Sequence, residues 1–385
     1  MELKKYKLAD IANIEISGVD KKTIEGETPV RLCNFVDVYY NWAITKEKAK
    51  SFMLASAKQT EIDKCSIGKG MVAITKDSET RDDIGIATYI ANDFKDVLLG
   101  YHCALITPNP AIVDGKYLNA FMHTRYIQKY FENNASGSGQ RYTLSNDTIG
   151  NIPVLLPSIE EQHTIGKVLA DIDRKIELNK QINDNLEEQL RLITSRYIFG
   201  CLNLEKKRIG EIATIKAGGD CPITFSKTRT QECNIPIFSN GTEDRGLYGF
   251  TNKANIEGHS ITIAARGTIG HCERRLMPFV PIIRLLAITP KEDGAYIYLH
   301  QVIKGMKFKK NGSVQQQLTV PEISFIEIPY PHSSVLSEYN KVASPIVEMI
   351  EHNISENEFL AKQRDELLPL LMNGQATVNY HLSDD

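Results

Sequence analysis

From Ile165 onward, apolar residues recur at alternating spacings of three and four: Ile165, Leu169, Ile172, Ile176, then Asn179 and Asn183, then Leu186, Leu190, Ile193 and Tyr197. That spacing keeps one seam on one side of a helix and predicts a long helix facing a partner. The series returns 174 positions later as Tyr339, Ala343, Ile346, Ile350, Asn353, Asn357, Leu360, Arg364, Leu367 and Leu371. Two asparagines interrupt the seam in each copy. A buried amide costs stability unless another amide answers it, and in a seam it mainly sets register. Antiparallel pairing supplies the answer, with Asn179 opposite Asn357 and Asn183 opposite Asn353. The same register sets Ile176 against Leu360, Leu190 against Ile346 and Leu169 against Leu367. It leaves one misfit, Ile172 facing Arg364.

Before each helical stretch the pattern changes to short apolar runs punctuated by Gly, Pro, Asn and Asp. GMVAIT at 70–75 and SITIA at 260–264 predict strands, and YLNAFM from Tyr117 and AYIYLH from Ala295 predict helices. These blocks also repeat. Residues 7–14 (KLADIANI) align with 208–215 (RIGEIATI) at an offset of 201, and 139–157 align with 313–331 at 174, matching Leu144 with Leu318, Ile149 with Ile323 and Pro157 with Pro331. The shrinking offset makes the second copy shorter inside its globular part. The expected architecture is an α+β fold with a pseudo-two-fold internal repeat. Two globular domains, 1–157 and 201–331, alternate with helical spacers, 158–200 and 332–375, which form an antiparallel coiled coil; a tail occupies 376–385.

Composition changes this picture little. With 42% hydrophobic and 24% charged residues the chain has the balance of a soluble protein with real cores. The net charge of −3 is uneven: residues 199–331 carry 17 basic and 12 acidic side chains, a net +5, while 332–385 carry a net −6. An electrostatic footprint is local, so the neutral total does not exclude an anionic partner. Seven scattered cysteines without C-x-x-C spacing argue against disulfides and zinc and for a reducing compartment. No apolar leader or long apolar window is present, so a cytoplasmic location is expected. There is no G-x-x-x-x-G-K-[ST] loop to hold ATP. TPNPA at 107–111 lacks the aromatic needed to stack on a flipped base and reads as a turn. The pairs His102-Cys103 and His271-Cys272 read as core thiols, not nucleophiles or ligands.

The segment from Ile152 to Asn183, IPVLLPSIEEQHTIGKVLADIDRKIELNKQIN, closely resembles the conserved region of type I restriction–modification specificity (S) subunits. It has their proline-bounded strand, their Glu-Glu-Gln helix start and their D-x-K-I-E-L-N stretch. ARGTIG at 265–270 is similar to the Gly-Thr-Ile-Gly turn of the same family's target recognition domains. The second helical copy departs from the pattern, because HSSVLSEY at 332–339 lacks Glu-Glu-Gln. The resemblance implies that the two globular domains are target recognition domains, each reading half of a bipartite, asymmetric DNA sequence. The helices, each about 60 Å long at ~1.5 Å per residue, would set the spacing and dock two methyltransferase (M) subunits, with restriction (R) subunits joining them. It implies no catalysis and no cofactor in this chain; S-adenosylmethionine, ATP and Mg would sit on the partner subunits.

Base readout needs Arg, Lys, Asn or Gln at a surface that enters a groove. The glycine-rich SGSGQR at 136–141 offers Gln140 and Arg141, and its counterpart KFKKNGSVQQQ at 307–317 offers Lys307, Lys309, Lys310, Asn311, Gln315 and Gln316. Arg266 lies on the Gly-Thr-Ile-Gly turn with Arg274 and Arg275 close by, and KDSETR at 76–81, with Lys76 and Arg81, is its expected equivalent in the first block. The competing readings are a coiled-coil scaffold that binds only proteins and, less favoured, a stand-alone nuclease or methyltransferase.

Overall fold

The computed structural model describes residues 2–137, 139–200, 204–308 and 317–378. The chain packs as two units, Met1–Asn179 with Ser355–Asp385, and Lys180–Ile354. The boundary falls inside both long helices, Ile159–Thr194 and Ser333–Met372. The helical spacers are therefore not bodies of their own; part of each helix belongs to each unit.

The first long helix starts on a capping box. Ser158 Oγ accepts from the Glu161 amide at 3.3 Å while Glu161 Oε2 accepts from the Ser158 amide at 3.1 Å, satisfying two donors that have no partner inside the helix. Gln162, 1% exposed, ties that start to the preceding block: its Nε2 donates to the Ile112 and Pro157 carbonyls and its Oε1 accepts from the Asp114 amide at 3.0 Å. This is the physical content of the Glu-Glu-Gln element. The second long helix does without it, using His332 Nδ1 to accept from the Ser334 amide at 3.4 Å and Asn340 Nδ2 to donate to the Gly294 carbonyl at 2.7 Å.

Each unit builds the same frame. In the first, Lys4–Lys7 pairs antiparallel with Pro153–Leu156, Lys7 opposite Pro153. In the second, Glu205–Arg208 pairs with Glu327–Tyr330, Arg208 opposite Glu327. The main sheet of the first unit runs Ala12–Ile16, Cys103–Pro108, Val72–Thr75, Ala87–Ile90, Ala43–Ile44; that of the second runs Ala213–Ala217, Leu286–Pro290, Ser260–Ile263, Cys272–Arg275. The predicted strands lie at Val72–Thr75 and Ser260–Ile263, and the predicted helices at Gly115–Met122 and Tyr296–Lys304. The sequence offsets of 201 and 174 reappear as hydrogen-bonded register. Between them the sheet adds a third, 182, because Pro108 faces Ala12 and Pro290 faces Ala213.

The helices pair antiparallel within each unit. In the first, Asn179 Nδ2 donates to Asn357 Oδ1 at 2.9 Å and to Glu356 Oε2 at 2.7 Å, and Leu169 shares a core with Leu367, Leu368 and Leu371. In the second, Asn353 Nδ2 donates to Asn183 Oδ1 at 2.8 Å, Asn183 Nδ2 donates to the Ile350 carbonyl at 3.2 Å, and the hydroxyls of Thr194 and Tyr339 meet at 2.8 Å. Asn179 is only 1% exposed, so its two acceptors offset what would otherwise be an unpaired buried amide. The seam's misfit is resolved by the first block. Arg364 lays its guanidinium over the Trp42 ring, 4.9 Å from the centroid, and pairs with Asp365 at 2.9 Å. No helix among the described residues is long and apolar enough to cross a membrane.

Candidate nucleic-acid interface

The sheet strands of the first unit end at a cleft. Val72–Thr75 runs out into the loop that returns as Ala87–Ile90, with Ile74 paired to Ala87. A small sheet of Ser136–Gly137, Tyr142–Thr143 and Asp77–Ser78 brings the Gln140–Arg141 turn against that loop. Two stretches 60 residues apart in sequence, the 76–81 loop and the 136–141 turn, thus form one surface. The cleft has a volume of about 630 Å³ and is lined by Tyr39, Tyr40, Thr80, Asp83, His102 and Arg141 among others.

Asp77 organises the floor. Its carboxylate meets His102 Nδ1 at 2.5 Å, Arg141 Nη2 at 3.3 Å and Lys76 Nζ at 3.4 Å. Burial alone would raise its pKa; hydrogen bonds from Thr143 and His102, with the charges of Lys76 and Arg141, override that and hold it below the usual carboxylate value. Lys76 also donates to Thr143 Oγ1 at 3.2 Å, and Arg81 stacks over the Tyr142 ring at 5.0 Å. Gln140 and Arg141 are exposed.

The second unit repeats the arrangement on a shorter loop. The Leu144 amide donates to the Lys76 carbonyl at 2.8 Å, and the Leu318 amide to the Ala265 carbonyl at 3.0 Å. Lys76 and Ala265 are therefore equivalent, and the exposed Arg266 stands where the first unit has Asp77. Arg266 donates through Nη2 to Gln317 Oε1 at 2.6 Å. Asn240 holds the turn: its Oδ1 accepts from the Ala265 amide at 2.8 Å, its carbonyl from Thr268 Oγ1 at 2.9 Å, and its Nδ2 donates to the Ile283 carbonyl at 2.6 Å. Gly270 closes the turn at φ +89°, and a Cβ there would lie 2.7 Å from the Phe308 ring, so both backbone and space require glycine. A cleft of about 470 Å³ opens beside it, lined by Gly218, Gly219, Asp220, Cys221, Arg266 and Arg284 among others.

Lys307 is exposed, and Lys309, Lys310, Asn311, Gln315 and Gln316 lie outside the described residues. Arg274 does not belong with the surface set. It is 5% exposed, with Nη2 on Glu187 and Nε 3.3 Å from Glu351, so its charge is spent on the long helices. Both faces of the Cys272–Arg275 strand are covered at this end, Arg274 by the long helices, and a lone sequence cannot show that packing. Its neighbour Arg275 is equally buried, 3.5 Å over the Phe238 ring. Sequence reasoning missed His102 and Arg284, which the sheet register, with its offset of 182, brings to the two clefts, and Asn240, which holds the turn beside the second. Cys103 and Cys272 are buried, and burial pushes both thiols up to about 12, which makes them poor nucleophiles. Among the described residues no group of three or more His, Cys, Asp or Glu side chains is placed to hold a metal ion.

Each cleft thus presents hydrogen-bonding side chains at the end of a rigid sheet, a geometry suited to base edges or phosphates. Comparison with known proteins is consistent with that chemistry. A Mycoplasma pneumoniae chain described as type I specificity subunit S.MpnORF89P is 31% identical over 171 residues, 43% of this chain and 51% of that one. This chain therefore matches about half the length of that relative. The Type I restriction enzyme HindI specificity subunit of Haemophilus influenzae is 22% identical over an alignment of 391 residues, 77% of this chain and 85% of that one. In fold, the chain is similar to the crystal structure of a type I restriction–modification S subunit from M. genitalium, with a TM-score of 0.58 at 16% identity over 98% of this chain and 97% of that one. The sequence profile Methylase_S, the Type I restriction modification DNA specificity domain, matches residues 1–188 and 202–363. Because that profile runs through both copies of the repeated frame and most of the chain, the chain belongs to the Type I restriction modification DNA specificity domain family.

Proposed function

We propose that this chain is the DNA sequence-specificity subunit of a type I restriction–modification complex, reading a bipartite, asymmetric duplex target with its two recognition domains. The observation that carries the reading is the pair of equivalent clefts, built at the ends of the same strands yet lined by different polar side chains: His102 and Arg141 in one, Arg266 and Arg284 in the other. A frame kept twice with its tip altered suits the reading of two different half-sites. The excess of basic residues in 199–331 supports phosphate contact there. Lys76, Arg81, Gln140, Arg141, Arg266 and Lys307 are the described contacts of this proposal, joined by Lys309, Lys310, Asn311, Gln315 and Gln316.

In this reading the chain carries no catalysis and no cofactor. The long helices set the unread spacer and dock two methyltransferase subunits, which use S-adenosylmethionine; restriction subunits, with ATP and Mg, complete the assembly in the cytoplasm. The names of the relatives, type I specificity subunits, support that assignment. The test is selection from randomised duplex DNA by the chain co-purified with its methyltransferase partner. Two short sequence blocks separated by a gap of constant length are expected. Binding that falls steeply with salt and enriches no sequence would leave only a scaffold.

A further inference from the structure

Among the described residues five non-glycine positions hold a left-handed backbone, and two of them are His102 (φ +72°) and Arg284 (φ +65°). They occupy the same place in the repeat. The Ser17 amide donates to the Cys103 carbonyl at 3.0 Å and the Gly218 amide to the Leu285 carbonyl at 2.8 Å, and Ser17 and Gly218 differ by the offset of 201. His102 and Arg284 each directly precede those carbonyl-bearing residues. The coincidence is informative because non-glycine residues seldom adopt this conformation, arginine less readily than histidine. The surrounding fold must impose it, and strained positions of this kind concentrate at functional sites.

The consequence is the same in both units, although the second holds the preceding Ile283 left-handed as well (φ +52°). The turn sends a polar side chain into the cleft wall instead of along the strand, with an exposed large residue before it, Tyr101 at 47% and Ile283 at 49%. The backbone device is kept while the side chain differs. Among the described residues the exposed Arg284 guanidinium has no hydrogen-bond or ion-pair partner, although it lines the cleft with Arg266. His102 is held in place by two partners: Nδ1 lies 2.5 Å from the Asp77 carboxylate and 2.6 Å from Arg141 Nη2, which is also 3.3 Å from Nε2.

We propose that His102 and Arg284 are specificity-determining residues at one homologous reading position, each contacting one base pair of its own half-site. Arg284 forks to the O6 and N7 of a guanine, and His102 hydrogen-bonds a base edge of its own half-site through its ring. The inference rests on the DNA-reading function proposed above, and its test separates the two.

The test is the same duplex selection, run on the complex carrying Arg284→Gly, Arg284→Lys or His102→Gly. Glycine adopts this backbone without strain, so the fold is retained, and thermal melting checks it. Arg284→Gly is expected to relax one base pair of one half-site, with a loss of discrimination of about fivefold to a hundredfold, and to leave the other half-site unchanged. Lysine should restore affinity without restoring the preference, since it lacks the planar fork. His102→Gly should relax one position of the other half-site. If the folded variants select the wild-type sequence unchanged, or if Arg284→Gly weakens all sequences evenly and lysine repairs it, the reading position is overturned while the function stands. If the unaltered complex selects no sequence, the function itself fails and the inference with it.

Discussion

In the first unit, the second long helix lays Leu367, Leu368 and Leu371 into the core that holds Leu169 of the first, and Arg364 lies over Trp42, which stacks on His123 with centroids 4.3 Å apart. In the second unit, Arg274 joins Glu187 of the first helix to Glu351 of the second, and Arg245 bridges Glu351 and Glu273, each at 2.9 Å. Both frames therefore grip their helix segments with apolar surface, which in the second includes Leu190, Leu336, Tyr339 and Ala343, and the second adds a buried ionic network. The charges in the second unit are well matched. Burial alone would raise the Glu187 carboxyl, but the Arg274 charge and hydrogen bonds from Lys304 and Arg274 bring it down to about 2. The lesson is that a duplicated backbone constrains where a helix is held far more than which chemistry holds it. An apolar face tolerates exchange of its members; a buried ion pair does not tolerate loss of one partner.

The sharpest way to break this comparison is Arg274→Met. It leaves Glu187 with Lys304 and Glu351 with Arg245 in a partly buried site, so the expected cost stays at or below the ~3–5 kcal/mol of a fully stranded buried charge and is confined to the second unit. Hydrogen exchange in urea should show amides of 180–354 loosening first. Equal loosening of 2–137 would mean the two units are not separately held.

Acid should act on both units through buried histidines. His123 donates from Nε2 to the Ala87 carbonyl at 3.0 Å, and burial, followed by the Arg364 charge, lowers its pKa to about 4. The unfolded chain, with a histidine pKa of about 6.5, takes up the proton first. Stability of the first unit is thus full above about pH 6.5 and is lost as pH falls towards 4, by roughly 3 kcal/mol. Glu187 is depressed instead, so its contribution is present above the ordinary carboxylate range of about 4.3 and disappears only as pH falls through about 2. The second unit holds a histidine of the same kind, His300, whose pKa burial and then the Arg274 charge push well below 6.5, so exchange measured across pH 7 to 4 should loosen both units, and His123→Gln should flatten the transition of the first alone. A first-unit transition unchanged in His123→Gln would contradict the assignment.

The smallest expected effect is that of Arg364→Ala. It removes one cation–π contact at a half-exposed edge, about 1 kcal/mol, visible as a small drop in the urea midpoint with the m-value unchanged. Loss of the whole first unit would show that Arg364 does more than cover Trp42.

Legibility followed the physics of repetition. The seam asparagines announced their partners because a buried amide needs another, and the sum of positions in each facing pair could be read directly from the chain. The strands at 72–75 and 260–263 announced themselves as short apolar runs between turn residues. The candidate site was half legible. Gln140, Arg141, Arg266, Lys76 and Arg81 stand on loops at the clefts, but Arg274 reads the same way and is buried. Charge alone does not say which side of a hairpin faces out.

The sequence by itself determined the repeat, the register of the helix pair and the family, because heptad spacing and matched offsets are local properties of a chain. Tertiary structure alone decided that Arg274 clamps helices, that Arg364 caps Trp42, and that His102 and Arg284 share one place in the repeat. These depend on long-range sheet register and on burial, and both are set by the packing of segments far apart in sequence.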